Sequence, residues 1–301
     1  MVTEPQSEIQ PTPQEILLPP GYTQRPLTAT DVPEIHERLE KLWAPFLRYS
    51  LEDYNGQVKV FPEGQQVVFD DVGDPVATLS TNRYQIDDIN HLPSWDSVAG
   101  MDKYTTATFE RTYNPKGNAV ILMSMSVRED QRGKQLASFL AQAAIKTGKD
   151  LRADYVLGPF RPSSYGEFKK RVWSKLNTQA TGEDRAVDQQ EYLRQISFDK
   201  YCELTREDGE PIDPWLRSLH RLGMKPLQTH PESMRVVLLV EEFNKLKTTW
   251  NKEKWYATDL DENHWECEET GSWNIMKNDA GEGIAVYTES NKWGLLYKAS
   301  S

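Results

Sequence analysis

The chain has 301 residues, of which 38% are hydrophobic and 10% aromatic, enough apolar material for one large core or two modest ones and too much for a disordered chain. Its formal charge of −11 opposes a broad nucleic-acid footprint, which needs a surplus of Lys and Arg. No apolar run reaches bilayer-spanning length and the N-terminus lacks a basic-then-apolar leader pattern, so a soluble cytoplasmic protein with no nucleic-acid or membrane partner is expected.

Residues 1–20 are rich in Pro, Gln and Glu and read as a flexible arm. Tyr22 to Leu27 suits a short edge strand, and Asp31-Val32-Pro33-Glu34 has the form of a capping box opening a helix with Ile35, Leu39, Leu42 and Trp43 on one side. Gln66–Phe69 and Val76–Ser80 flank a run of turn residues, Asp70 to Pro75, which predicts a hairpin. From Tyr84 to Tyr104 lies a long loop holding His91, Pro93, Trp95 and Gly100; loops beyond about 15 residues are commonly functional or mobile. A second arm, Thr105 to Tyr113, turns at Asn114-Pro115-Lys116-Gly117.

The stretch Asn118 to Gly148 organises the rest. Val120, Ile121, Leu122, Met123, Met125 and Val127 form an apolar strand with Ser124 and Ser126 sharing one face. A polar turn, Arg128 to Lys134, follows, and then Leu136, Phe139, Leu140, Ala143 and Ala144 recur at helical spacing until Gly148. A strand, a Gly-containing loop and a helix N-terminus make a ready anion site, to which Arg132 and Lys134 add charge. The same pattern also suits a solvated charged turn.

Val127 followed by Arg132-Gly133-Lys134-Gln135-Leu136-Ala137 resembles the acyl-CoA-binding motif of the GNAT superfamily of N-acyltransferases, Arg/Gln-x-x-Gly-x-Gly/Ala after a strand ending in Val. Gln135 stands where that family prefers Gly. The resemblance implies that loop amides from Arg132, Gly133, Lys134, Gln135, Leu136 and Ala137 hold the coenzyme's pyrophosphate, and that strand residues Met125, Ser126 and Val127 line its pantetheine arm. It implies an α/β GNAT fold, with a mixed, mostly antiparallel sheet, splayed central strands and helices on both faces. Ala153–Gly158 would be the strand that splays from the motif strand. Pro214 to Met224 would be the short helix before the last two strands, Met224–Gln228 and Ser233–Val240.

Residues 21–242 are thus read as an acyltransferase domain carrying an insertion at 162–212, and 243–301 as a β-rich extension with Trp250, Trp255, Trp265, Trp273 and Trp293. Asp208-Gly209-Glu210-Pro211-Ile212-Asp213-Pro214-Trp215 and Arg161-Pro162 also resemble segments shared by a group of bacterial GNAT-like proteins.

For this family the expected reaction is direct transfer from acetyl-CoA or another acyl-CoA to an amine of a small molecule. Alternatives are a carrier-protein thioester as donor, a decarboxylating GNAT-like enzyme, or a non-catalytic binding protein of the same fold. The family's usual acid, a Tyr four residues before the Leu-Gly turn, is replaced by Leu219, and His220 beside it is a candidate catalytic residue. Tyr165 is the candidate acid in its stead, against packing as a loop residue; Glu110 is a candidate base through water, against an ordinary place on a solvated strand face. Arg161, Trp95 and Trp215 are candidates for the acceptor site, Arg161 through its bidentate fork and equally as a structural ion pair. Cys202 and Cys267 lie far apart without His at ligand spacing, so they read as free thiols, with no disulfide and no metal expected. Oligomeric state and acyl length stay open.

Overall fold

The computed structural model describes residues 16–101, 109–179, 189–256 and 263–300. Most of the expected N-terminal arm, part of the arm beginning at Thr105 and residues 180–188 of the insertion lie outside the described residues.

The first half follows the expected β-prone runs closely. β1 (Thr23–Pro26) pairs antiparallel with β2 (Gln66–Phe69), β2 with β3 (Pro75–Tyr84), and β3 with β4 (Ala119–Val127). The capping box at Asp31 does not form: helix α1 (Val32–Arg38) has no side-chain cap, because the Asp31 carboxylate faces Arg25 in a bidentate pair at 2.7 Å and accepts from Thr28 N. A capping box does open α2 (Leu51–Val60), where Ser50 and Asp53 bond reciprocally, a helix the apolar spacing does not announce. Within the long loop, Ser94 caps α3 (Trp95–Ala99). The described end of the Thr105 arm, 109–113, is turn rather than strand.

Helix α4 (Leu136–Asp150) runs two residues past Gly148. That glycine permits contact rather than ending the helix: a Cβ there would lie 2.2 Å from Val156 Cγ2. β5 (Tyr155–Phe160) follows, pairing parallel with β4 only at Ala119–Ile121. Past Ile121 the two strands diverge, and among the described residues no strand pairs with that edge of residues 122–127. This is the splay of a GNAT-like α/β fold, in a mixed, mostly antiparallel sheet.

The insertion contains α5 (Tyr165–Gln179), α6 (Gln189–Gln195) and α7 (Phe198–Glu203). Asp213 then caps α8 (Pro214–Arg221), accepting from Trp215 N and Leu216 N at 3.0 Å. The two strands expected after it are one, β6 (Lys225–Leu239). Its turn-prone His230-Pro231-Glu232 is absorbed as an irregularity in the pairing with β10 (Gly283–Lys298), since extra residues can bulge from a strand without ending it.

The described residues after 242 are β-rich, as expected. After α9 (Val240–Thr249) come β7 (Trp255–Tyr256), β8 (His264–Cys267) and β9 (Ser272–Lys277), and then β10 enters the sheet between β5 and β6. On one edge β10 meets β9 over 283–288 and β5 over 292–298, with a gap at 289–291.

The core has a layer on each side of the sheet. Leu39, Tyr54, Trp95 and Ile121 pack with α1, α2 and α3 on one face, and Val120, Leu140, Ala144 and Leu219 with α4 and α8 on the other. A third cluster joins Phe243, Trp273 and Tyr287, with Phe46 edge-on to Trp273 at 4.9 Å between ring centres. The C-terminal tryptophans are therefore core: Trp273 and Trp293 are fully buried, and Trp250, Trp255 and Trp265 pack around Phe243 or its neighbours. No helix among the described residues is long and apolar enough to cross a membrane.

Candidate active site

The diverging strands open a cavity of about 50 Å³ lined by Trp43, Trp95, Met123, Ser124, Arg161 and Glu289, among others. Its wall on β4 is irregular. Ser80 of β3 pairs with Ser124 while Thr81 pairs with Leu122, so Met123 is an extra residue bulged from the ladder. A bulge turns peptide groups away from the regular direction, and here the Met123 carbonyl accepts from Trp95 Nε1 at 2.8 Å. Three residues on, Ser126 Oγ accepts from Trp43 Nε1 at 2.7 Å. Two indoles, one from α3 and one from the connection before α2, thus brace β4 along its splayed half.

Opposite, Arg161 follows the end of β5 and sits in the gap on the β10 edge. Its Nε donates to Thr270 Oγ1 at 2.7 Å and lies 3.5 Å from Glu289 Oε2; Nη2 donates to Glu269. The guanidinium also stands 5.4 Å from the Trp43 ring centre. Burial works against its charge, but Glu289 and Glu269 outweigh it and raise the pKa, so Arg161 is a fixed cation. Glu289, 1% exposed, further accepts from Tyr287 Oη at 2.8 Å and from Asn291 Nδ2 at 2.9 Å.

At the other end of β4 the motif loop is exposed. Arg132 to Gln135 are all at the surface, Gly133 has φ +82° and Gln135 has φ +62°. The residue that departs from the family's Gly therefore holds the left-handed conformation that glycine adopts freely. Leu136 is buried under the first turn of α4 and Ala137 is half-buried beside it. The loop's cations are engaged: Lys134 Nζ bonds Tyr22 Oη at 2.8 Å and Gln131 Oε1 at 2.7 Å, and Arg132 lies 3.8 Å from Glu129. Arg128 ties the strand end to Asp130, Asp70 and Asp74.

Of the predicted residues the cavity unites Arg161 and Trp95. Met125, Ser126 and Val127 lie on the splayed strand leading from it to the loop. Trp215 instead packs edge-on against Phe160, 6.1 Å between centres. The three predicted acid-base residues are elsewhere. Glu110 is exposed and pairs with Lys59 at 2.8 Å, and His220 is exposed in the last turn of α8. Tyr165 is buried, donates to the Ile196 carbonyl and lines a different cavity.

Sequence reasoning missed Glu289, which lines the cavity, and the buried carboxyl of Asp96, which does not line it. Glu289 carried a signal, since Thr288-Glu289-Ser290-Asn291 is a polar break inside a long β-prone run. Asp96, next to Trp95, carried none. Its Oδ2 accepts from Arg235 N at 2.8 Å on the β6 edge, while Oδ1 is buried without a partner. Burial chiefly pushes its pKa up to about 7; the Arg235 amide opposes this and the Glu289 charge adds to it.

No family model matches the chain, and no curated protein matches it. Among solved structures, the loading GNATL domain of CurA from Lyngbya majuscula is 15% identical, over 70% of this chain and 88% of that one, with a TM-score of 0.49. The GphF GNAT-like decarboxylase, in complex with isobutyryl-CoA, is 16% identical over 88% and 98%, with a TM-score of 0.44. The yncA protein of Salmonella typhimurium, solved with its cofactor acetyl-CoA, is 9% identical over 93% and 97%, with a TM-score of 0.40. At those scores the likenesses carry no argument about the reaction. The fold assignment stands on the strand order, the splay and the layers.

Proposed function

We propose that the chain is an acyltransferase that moves an acyl group from a CoA thioester directly to an amine of a small molecule. The carrying observation is the continuity of one strand edge, residues 122–127, unpaired among the described residues, with a Gly-containing loop and helix N-terminus at one end and a cavity at the other. An extended pantetheine arm fits such an edge by strand addition, with its pyrophosphate on the amides of Arg132 to Ala137 and its thioester carbonyl at the Met123 bulge. Trp95 and Arg161 would border the acceptor.

One observation favours a second reading, a donor thioester on an acyl carrier protein. The loop's Lys134 and Arg132 already have protein partners, as a donor without a nucleotide would permit.

Calorimetry with acetyl-CoA, desulfo-CoA and a phosphopantetheinyl carrier separates these readings. Gly133→Pro supplies the control: proline cannot take φ +82° and lacks the N–H, so the folded variant should lose CoA binding. Unchanged affinity would remove the coenzyme from this loop, and no binding of any of the three probes to the wild type would leave a binding protein of another kind.

A further inference from the structure

A second cavity, about 130 Å³, lies on the opposite side of β10, between the insertion helices and the β8–β9–β10 ladder. The strand alternation separates the two chambers, with Glu289 and Asn291 lining the first and Thr288 and Ser290 the second. Arg161 stands between them, because Thr270, which accepts from its Nε, also lines the second.

The ladder side of this chamber is polar, whereas the helix side carries Tyr165, Leu193, Ile196 and Phe198. His264 and Glu266 on β8, Ser272 and Asn274 on β9 and Thr288 on β10 share one face of the ladder, as the pairings Glu266 with Ser272 and Ser272 with Thr288 require. The other face, with Trp265, Trp273 and Tyr287, packs into the third core cluster. Helix α5 covers the polar face and lowers Lys169 onto it. That ammonium, 2% exposed, meets Glu266 Oε2 at 2.6 Å and the Gly271 carbonyl at 2.7 Å.

An ammonium has three donors, and Lys169 uses two of them on these partners. His264 contacts Asn274 Oδ1 through Nδ1 and Glu266 Oε1 through Nε2, both at 3.0 Å. With an oxygen acceptor at each ring nitrogen, the arrangement suits the imidazolium. Burial works against that charge, but Glu266 outweighs it and raises the His264 pKa. Glu266 thus answers two groups at once, the Lys169 ammonium through Oε2 and the His264 ring through Oε1. A buried ion pair that only pinned α5 to the ladder could be replaced by apolar packing without loss of stability. It would not call for an open chamber beside it, edged by the hydroxyls of Ser272 and Thr288.

We propose that the second cavity is a binding site for a small monocarboxylate, taken between Lys169 Nζ and the hydroxyls of Ser272 and Thr288. One ammonium donor and two hydroxyls match the two oxygens of one carboxylate, and the Glu266 carboxylate 2.6 Å from Lys169 Nζ opposes a dianion more than a monoanion. This site is separate from the acyl-transfer cavity and does not depend on the reaction proposed there.

The test is ligand-observed NMR on the full chain with lactate, and with inorganic phosphate as the contrasting anion. Lactate should bind saturably to the wild type and more tightly than phosphate. The double variant Lys169→Met with Glu266→Gln, which removes both charges together, should weaken lactate at least about tenfold, the scale of a charge-assisted hydrogen bond. Ser272→Val, which leaves the ion pair in place, should weaken it too and decides the matter if the double variant does not fold. No saturable lactate binding by the wild type, phosphate binding as tight as lactate, or unchanged lactate affinity in the folded variants would overturn the site. Acetyl-CoA calorimetry on the same proteins reports on the acyl-transfer proposal independently and should be unaffected by either substitution.

Discussion

The indole N–H of Trp95 donates to the carbonyl of Met123 across 28 positions in sequence, at 2.8 Å and fully buried. One end of the bond belongs to a short helix in a long loop and the other to the bulge of β4, so the loop holds the strand irregularity from which the cavity takes its shape. Trp95→Phe keeps most of the ring and deletes the donor, leaving a buried carbonyl unsatisfied. The expected loss is about 1–3 kcal/mol by urea denaturation, together with a fall in acyl transfer larger than the fall in CoA affinity. Unaltered turnover in the folded variant would show that the bulge needs no brace.

Gln135 is predicted to be replaceable with gain. Its φ of +62° strains any side chain, and Gln135→Gly should stabilise the protein by roughly 1 kcal/mol. CoA affinity should be equal or better. If affinity drops while the thermal midpoint rises, the amide side chain is itself a ligand.

Arg161 answers two acidic partners, Glu269 and Glu289. Arg161→Met should cost about 3–5 kcal/mol, because the carboxylates then lie in the protein interior without their cation. Adding Glu289→Gln should restore part of that loss, since one of the stranded charges goes with it. Absence of any coupling in that double-mutant cycle would mean that Thr270 and Trp43, rather than the charges, account for the residue.

The pH dependence has a definite sign. Burial raises Asp96 from 3.8 and Glu40 from 4.5, each to about 7; Glu40 is opposed by bonds from Tyr54 Oη and Tyr49 N at 2.6 Å. A raised carboxyl pKa means that the folded state holds a proton which the unfolded state has already released. Stability should therefore fall as pH climbs from about 4 to about 7, by up to ~3 kcal/mol for a shift of Glu40's size, and then level off. Asp96→Asn should flatten part of that slope in urea midpoints, because it removes the group that must release its proton. A variant whose urea midpoints keep the full wild-type slope would show that Asp96 is not one of the groups responsible.

Much of the first half of the chain was written in local pattern. The hairpin at Asp70 to Pro75, the strand ending at Val127, the exposed loop and the amphipathic α4 follow from turn residues and apolar periods, because each depends on neighbours within a few positions. Asp213 as a cap was legible for the same reason. The sheet partners of the C-terminal segment were not. Residues 225–239 read as two strands because His230-Pro231-Glu232 resembles a turn, and only pairing with a distant strand, Gly283–Lys298, keeps them as one. The site itself was divided along this line. Periodicity and loop chemistry marked where a coenzyme phosphate could rest, whereas the meeting of Trp95, Met123, Arg161 and Glu289 depends on four segments brought together by long-range pairing. A carboxylate such as Asp96 acquires its shifted pKa only from what is packed around it, and no local sequence pattern records that surrounding.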